Sequence, residues 1–218
     1  TQEQSGTALL LVWTWVKEKI MPLGAFKAAL MGTAGVSTET VVLLHDTDYS
    51  NAASASITSG IDSTYGEYIF RFYNMNPAND GQGGNDWTFQ VNGAGESGYN
   101  ETITSTAFHA YHDEADSQTA LLMNASYGQA QGTDYEVLLP SPGNGSDESF
   151  VGELHLFNPA STTYVKHFYS QFQTYYYADY SLCQFQAGYI NTTTAIDDIQ
   201  FKMVSGNFDG TIKMWGVK

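Results

Sequence analysis

Trp87-Thr88-Phe89-Gln90-Val91-Asn92 alternates strictly between large apolar and polar side chains. Successive side chains of a strand point to opposite faces, so this period of two predicts a half-buried strand. The same period recurs along the chain. Tyr68, Phe70 and Phe72 alternate with Ile69, Arg71 and Tyr73, and Leu154 and Leu156 with Glu153 and His155. Ile199, Phe201 and Met203 alternate with Gln200, Lys202 and Val204, and Ile212 and Met214 with Lys213 and Trp215.

Turn signals separate these runs. Asn79-Asp80-Gly81, Gly83-Gly84-Asn85-Asp86, Asn92-Gly93-Ala94-Gly95 and Ser141-Pro142-Gly143-Asn144-Gly145 combine residues that tolerate left-handed backbone. Asp209-Gly210 reads as a hairpin turn between 201–204 and 211–217. Strands are expected near 41–45, 55–61, 67–74, 87–92, 104–112, 119–127, 134–139, 150–157, 164–176, 182–190, 196–204 and 211–217. Short strands at close spacing, without amphipathic helices between them, predict an all-β fold, an antiparallel β-sandwich over 41–218.

Residues 1–40 differ from the rest. Ala8 to Val16 reads Ala-Leu-Leu-Leu-Val-Trp-Thr-Trp-Val, and Met21-Pro22-Leu23-Gly24-Ala25-Phe26 follows. The run is shorter than the roughly 18 to 20 residues a membrane span needs, and its lysines follow it, unlike those of a signal peptide. It is expected to be an apolar N-terminal arm. Leu9, Leu11, Trp13, Trp15, Leu23 and Phe26 are its candidate subunit-binding residues, since side chains this apolar seek burial in a neighbour.

Charge narrows the partners. The chain of 218 residues carries 23 acids against 8 bases, a net charge of −15. No basic stripe exists to neutralise phosphates, so neither nucleic acid nor an anionic membrane surface is an expected partner. Charged residues are 14% of the chain, against a usual figure of about 25%, so Ser, Thr, Asn, Gln and Tyr must supply much of the wet surface. Cys183 is the single cysteine; it lies in a strand pattern and reads as a small buried hydrophobe.

Little in the sequence points to catalysis. No nucleophile elbow, phosphate loop or zinc-protease motif occurs. His112, Asp113 and Asp116 could converge on a divalent ion only after a turn, and the Asn79–Asp86 loop lacks the regular spacing of a calcium loop. Glu67, Glu136 and Glu153 could supply paired carboxylates, but each is equally well an outward strand residue. The chain is therefore expected to be no enzyme and to use no metal or cofactor. Its 15 tyrosines suggest sheet-face packing or, as the alternative, an aromatic platform for sugars. Tyr175, Tyr176, Tyr177 and Trp215 are the candidate glycan contacts.

The carboxyl end is more specific. Ile190-Asn191-Thr192-Thr193-Thr194-Ala195-Ile196-Asp197-Asp198-Ile199 leads into Ser205-Gly206-Asn207-Phe208-Asp209-Gly210-Thr211-Ile212-Lys213-Met214-Trp215-Gly216-Val217. This resembles the ending of a group of tailed-phage virion proteins, frequent in marine phages, that close on "G-N-F-x-x-G-[ST]" and a final "G-[IVL]". Gly152-Glu153-Leu154-His155-Leu156-Phe157-Asn158 and Phe89-Gln90-Val91-Asn92-Gly93 are similar to internal strands of that group. The resemblance spans about residues 57–218 and implies a jelly-roll-like sandwich on the virion exterior, in a capsid decoration or a tail component. It carries over no catalytic residue. The expected partners are other virion structural proteins and further copies of the chain, a trimer being preferred; a host surface glycan is the alternative partner.

Overall fold

Each alternating stretch becomes a strand, and every pairing among the described strands is antiparallel. The structure, a computed structural model, describes residues 40–218. In chain order the strands are β1 (Val41–Ala52), β2 (Ala55–Ile57), β3 (Glu67–Pro77), β4 (Trp87–Gly93), β5 (Ile103–Asp113), β6 (Thr119–Met123), β7 (Ala130–Gly132), β8 (Glu136–Leu139), β9 (Phe150–Phe157), β10 (Lys166–Tyr176), β11 (Tyr180–Ile190), β12 (Ile196–Met203) and β13 (Phe208–Val217). The larger sheet runs β1-β13-β3-β9-β10-β11-β5-β6, with β7 also on β5; the smaller runs β2-β12-β4-β8. The chain leaves the large sheet for the small one and returns several times. The result is the expected all-β antiparallel sandwich, jelly-roll-like in this sheet switching. The arm expected over 1–40, with Leu9, Leu11, Trp13, Trp15, Leu23 and Phe26, lies outside the described residues except for Thr40.

Register shows how the core is made. One inward row of the large sheet reads Ile212–Phe72–Gly152–Phe172–Gln184–His109, and the next reads Met214–Phe70–Leu154–Ser170–Gln186–Ala107. On the small sheet Trp87, Phe89, Ile199 and Phe201 face them, all fully buried. Phe201 packs on Phe72 at 5.0 Å and Phe70 at 5.5 Å, while Trp87 meets Phe208 at 4.9 Å and Phe150 at 5.4 Å. Gly152 is required by this packing: a Cβ there would lie 2.3 Å from the Phe172 ring.

Four expectations are corrected. First, β4 is buried on both faces, not one. Loop segments and the neighbouring strand β12 satisfy its polar side. The Gln90 amide donates to the carbonyls of Glu101 (2.9 Å) and Asp134 (3.1 Å), and Thr88 Oγ1 donates to Lys202 O at 2.9 Å. Second, Asp209-Gly210 is no hairpin turn. Both residues lie inside β13, where Gly210, at φ 139°, sits at a register shift against β3. The chain turns instead at 204–207, with Gly206 at φ 77°, and β12 and β13 belong to different sheets. Third, Cys183 lies on the outer face of β11, half-buried, with the Gln171 amide 3.8 Å from its sulfur. Fourth, Glu136 does not point outward; it is fully buried between the sheets.

Candidate binding surface

The outward rows of the large sheet are as ordered as the inward ones. Leu43, Trp215, Ile69, His155 and Tyr169 stand side by side on β1, β13, β3, β9 and β10. Their period-two partners fill the core, so these side chains face out by geometry alone. His155 stacks on Tyr169 with ring centroids 4.4 Å apart, and Phe157 adjoins Tyr169 at 5.7 Å. Covered by these rings, His155 is buried although it is on the outer face. Its Nδ1 lies 2.5 Å from Glu67 Oε1, and its Nε2 3.3 Å from Glu153 Oε1. Glu67 thus holds the ring at Nδ1, while Glu153 lies near Nε2 without a hydrogen bond to it.

The bases near this face are engaged. Arg71 pairs with Glu153 at 3.2 Å and lies over the Trp215 ring at 5.5 Å; Lys213 pairs with Asp46 at 2.9 Å. These are exposed pairs, so their contribution is small, but they leave the aromatic rows between them uncharged.

At one edge of the sheet the surface turns apolar. Among the described strands β6 bonds only to β5, and its sequence Thr119-Ala120-Leu121-Leu122-Met123 carries apolar side chains on both faces. Leu121 is 71% exposed and Met123 74%, and Leu122, on the opposite face, is exposed as well. Met123 stands opposite Phe108, which stacks on Phe185 at 5.0 Å. An edge strand presents unpaired backbone groups, and native proteins usually blunt such edges with charge, which this one lacks.

The sequence-derived glycan candidates do not converge. Trp215 belongs to the Tyr169 row, whereas Tyr175 and Tyr176 lie at the far end of β10, at its hairpin with β11. Asp179, at φ 63°, makes that hairpin turn. Tyr175 donates to Asp179 Oδ1 at 3.0 Å, and that carboxylate holds the phenol's pKa well above its ordinary value. Tyr176 stacks on Tyr180 at 5.6 Å and meets Tyr177 at a tilt at 4.7 Å, and burial pushes its pKa up to about 12. These tyrosines hold the hairpin together. Beside them is a cleft of about 420 Å³ lined by His112, Asp113, Glu114 and Asp147, which is acidic. The Asp113 carboxylate there accepts from Ser117 N (2.8 Å) and Gln118 N (2.7 Å), and His112 pairs with Asp116 at 3.0 Å. Among the described residues no three such side chains gather in a way that could hold a metal ion.

A wider groove of about 920 Å³ opens near Phe157, between the loop joining β9 to β10 and the turn before β3. Sequence reasoning missed both this groove and the β6 patch. The signal for the patch was legible: Leu121-Leu122-Met123 breaks the alternation and leaves no polar face. The groove offered none, because its walls come from segments far apart in sequence.

Among the described residues no helix is long and apolar enough to cross a membrane. Compared with protein-family models, curated proteins and solved structures, the chain matches none.

Proposed function

We propose that this protein is a structural subunit on the exterior of a virion, a capsid decoration or tail component, that joins its neighbours by burying apolar surface. The observation that carries this reading is the uncharged β6 edge, with Leu121, Leu122 and Met123 exposed on both faces and continuous with Phe108 and Phe185. In a chain of net charge −15, such an edge is where two copies can meet without opposing their acids. The occupant proposed for it is a second copy of the chain, adding a strand to β6 within a homo-oligomer. The apolar residues Leu9 to Phe26 supply the anchor to other virion proteins, and the phage-like carboxyl-terminal motif supports the particle setting.

Two variants test the proposal. Leu121→Lys/Met123→Lys, at exposed positions, should leave the fold intact and convert the oligomer to a monomer in sedimentation. A chain lacking residues 1–30 should keep its folded body and fail to join particles. A wild-type chain that is monomeric at particle-like concentrations would overturn the edge assignment, and a truncated chain that decorates particles normally would overturn the anchor.

A further inference from the structure

The groove beside Phe157 is walled mainly by aromatic rings and small uncharged polar side chains. Tyr164 stands at its rim, 73% exposed. Tyr65, Phe157 and His167 supply further rings, and Asn158 and Ser161 supply amide and hydroxyl groups. Among the described residues no Asp, Glu, Lys or Arg lines it. That is a selective omission in a chain with 23 acids, and the acidic cleft at the β10–β11 hairpin shows what an ordinary depression of this surface looks like. The nearest base in sequence, Lys166, is buried and donates to Thr192 O at 3.1 Å.

The walls are held in place before any ligand arrives. The Tyr65 ring packs edge-on against Tyr68 at 5.8 Å and lies on Gly216, where a Cβ would come within 2.5 Å of it. Asn158 takes a left-handed backbone, φ 45°, and its N–H donates to Gly66 O at 2.7 Å, which ties the two walls together. Ser161 Oγ accepts from the Tyr164 N–H at 3.1 Å and fixes the backbone that carries the rim tyrosine. A preformed site loses less to ordering when a ligand binds.

We propose that this groove is a binding site for a neutral saccharide. A sugar ring presents an apolar C–H face, which suits an aromatic ring, and hydroxyls that both donate and accept, which suits Asn, Ser, Thr and Tyr. A charged ligand would find no Asp, Glu, Lys or Arg among the described wall residues, and a purely apolar one would strand their polar groups. The assignment goes beyond the subunit reading and stands without it. It moves the glycan alternative from Tyr175, Tyr176, Tyr177 and Trp215 to Tyr164, Tyr65, Phe157 and His167.

The test uses the full chain on an array of short neutral oligosaccharides built from glucose, galactose, mannose and N-acetylhexosamines, with acidic oligosaccharides on the same array. Any hit is then followed by titration of wild type and of Tyr164→Ala and His167→Ala. Both residues are exposed, so unchanged thermal unfolding should accompany the changes. The expected result is retention of at least one neutral class and a loss of about tenfold or more in affinity in each variant, with Tyr175→Ala equal to wild type. Retention of acidic sugars alone, no retention up to roughly millimolar ligand, or loss in Tyr175→Ala with Tyr164→Ala unaffected would each overturn the assignment.

Discussion

Two halves of the same interior differ in how much polar surface they bury. Under β13, β3 and β9 the space between the sheets is filled by rings: Phe70, Phe72, Trp87, Phe150, Phe201 and Phe208. Under β10, β11 and β5, where β8 is the covering strand, Ser170, Gln184, Gln186, Ser105 and His109 stand inward among Phe168, Phe172, Leu182 and Ile190, with Glu136 facing them from β8. Glu136 accepts from Ser105 Oγ at 2.7 Å and from the Gln186 amide, and that amide also donates to Tyr127 O at 2.8 Å. Several atoms here have no hydrogen-bond partner among the described residues: Glu136 Oε2, Gln186 Oε1, Ser170 Oγ, His109 Nδ1 and both amide atoms of Gln184. The aromatic half should dominate the folding free energy, since each ring removes much apolar area from water. The polar half should contribute less and make stability depend on solution conditions.

The largest effect should therefore come from the aromatic side. Phe201→Ala leaves a hole among Phe70, Phe72, Phe89 and Trp87, and should cost about 3 to 5 kcal/mol in urea unfolding. A loss under about 1 kcal/mol would mean that the ring cluster does not act as the keystone described.

Glu136 gives the next effect, and it depends on pH. Burial pushes its carboxyl from 4.5 up to about 7 against the pull of the Ser105 hydrogen bond. The folded state therefore holds the proton more tightly than the unfolded state. Its contribution is present in full below about pH 4.5 and is lost as pH rises toward 7, by about 3 kcal/mol in all. His109, whose pKa burial lowers, works in the opposite sense, and Asp86, raised by burial, in the same sense. Wild type measured against Glu136→Gln isolates the one group, because a glutamine Oε1 can still accept from Ser105. The two proteins should match near pH 4.5, and the variant should be the more stable by about 3 kcal/mol above pH 7. Parallel stability curves across that range would refute the buried-acid account.

This contrast marks how far the sequence could be read. The aromatic half was legible because alternation assigns Phe70, Phe72, Phe201 and Met214 to one face wherever their strands lie. The polar half was not, because Gln184 and Gln186 look like outward residues until cross-strand register sets them beside Phe172 and Ala107. Glu136 has the same history: charge suggested solvent, and β8 placed it inside. Gln90 shows the converse on β4, where the alternation was right and the solvent face was not, because remote loops close over it. Of the candidate contacts, the sequence supplied rings of the right kind but not their grouping. Tyr164 and Tyr175 belong to one aromatic-rich stretch, and only the loop between β9 and β10 turns the first into a groove wall.

The smallest predicted effect bears on what the polar half is for. Gln184 is fully buried in the row between Phe172 and His109, and its amide makes no hydrogen bond among the described residues. A buried amide without partners costs free energy, and an apolar side chain of similar shape removes that cost without opening a hole. Gln184→Met should therefore be neutral or stabilising by about 1 kcal/mol, measured at a pH where Glu136 keeps its proton. If the variant loses 1 kcal/mol or more, the amide is held by ordered water that also serves Ser170 and Gln186, and the polar half is a hydrated network whose members stand or fall together. If it gains, the polar half is a weakness that the rings of the other half are strong enough to carry.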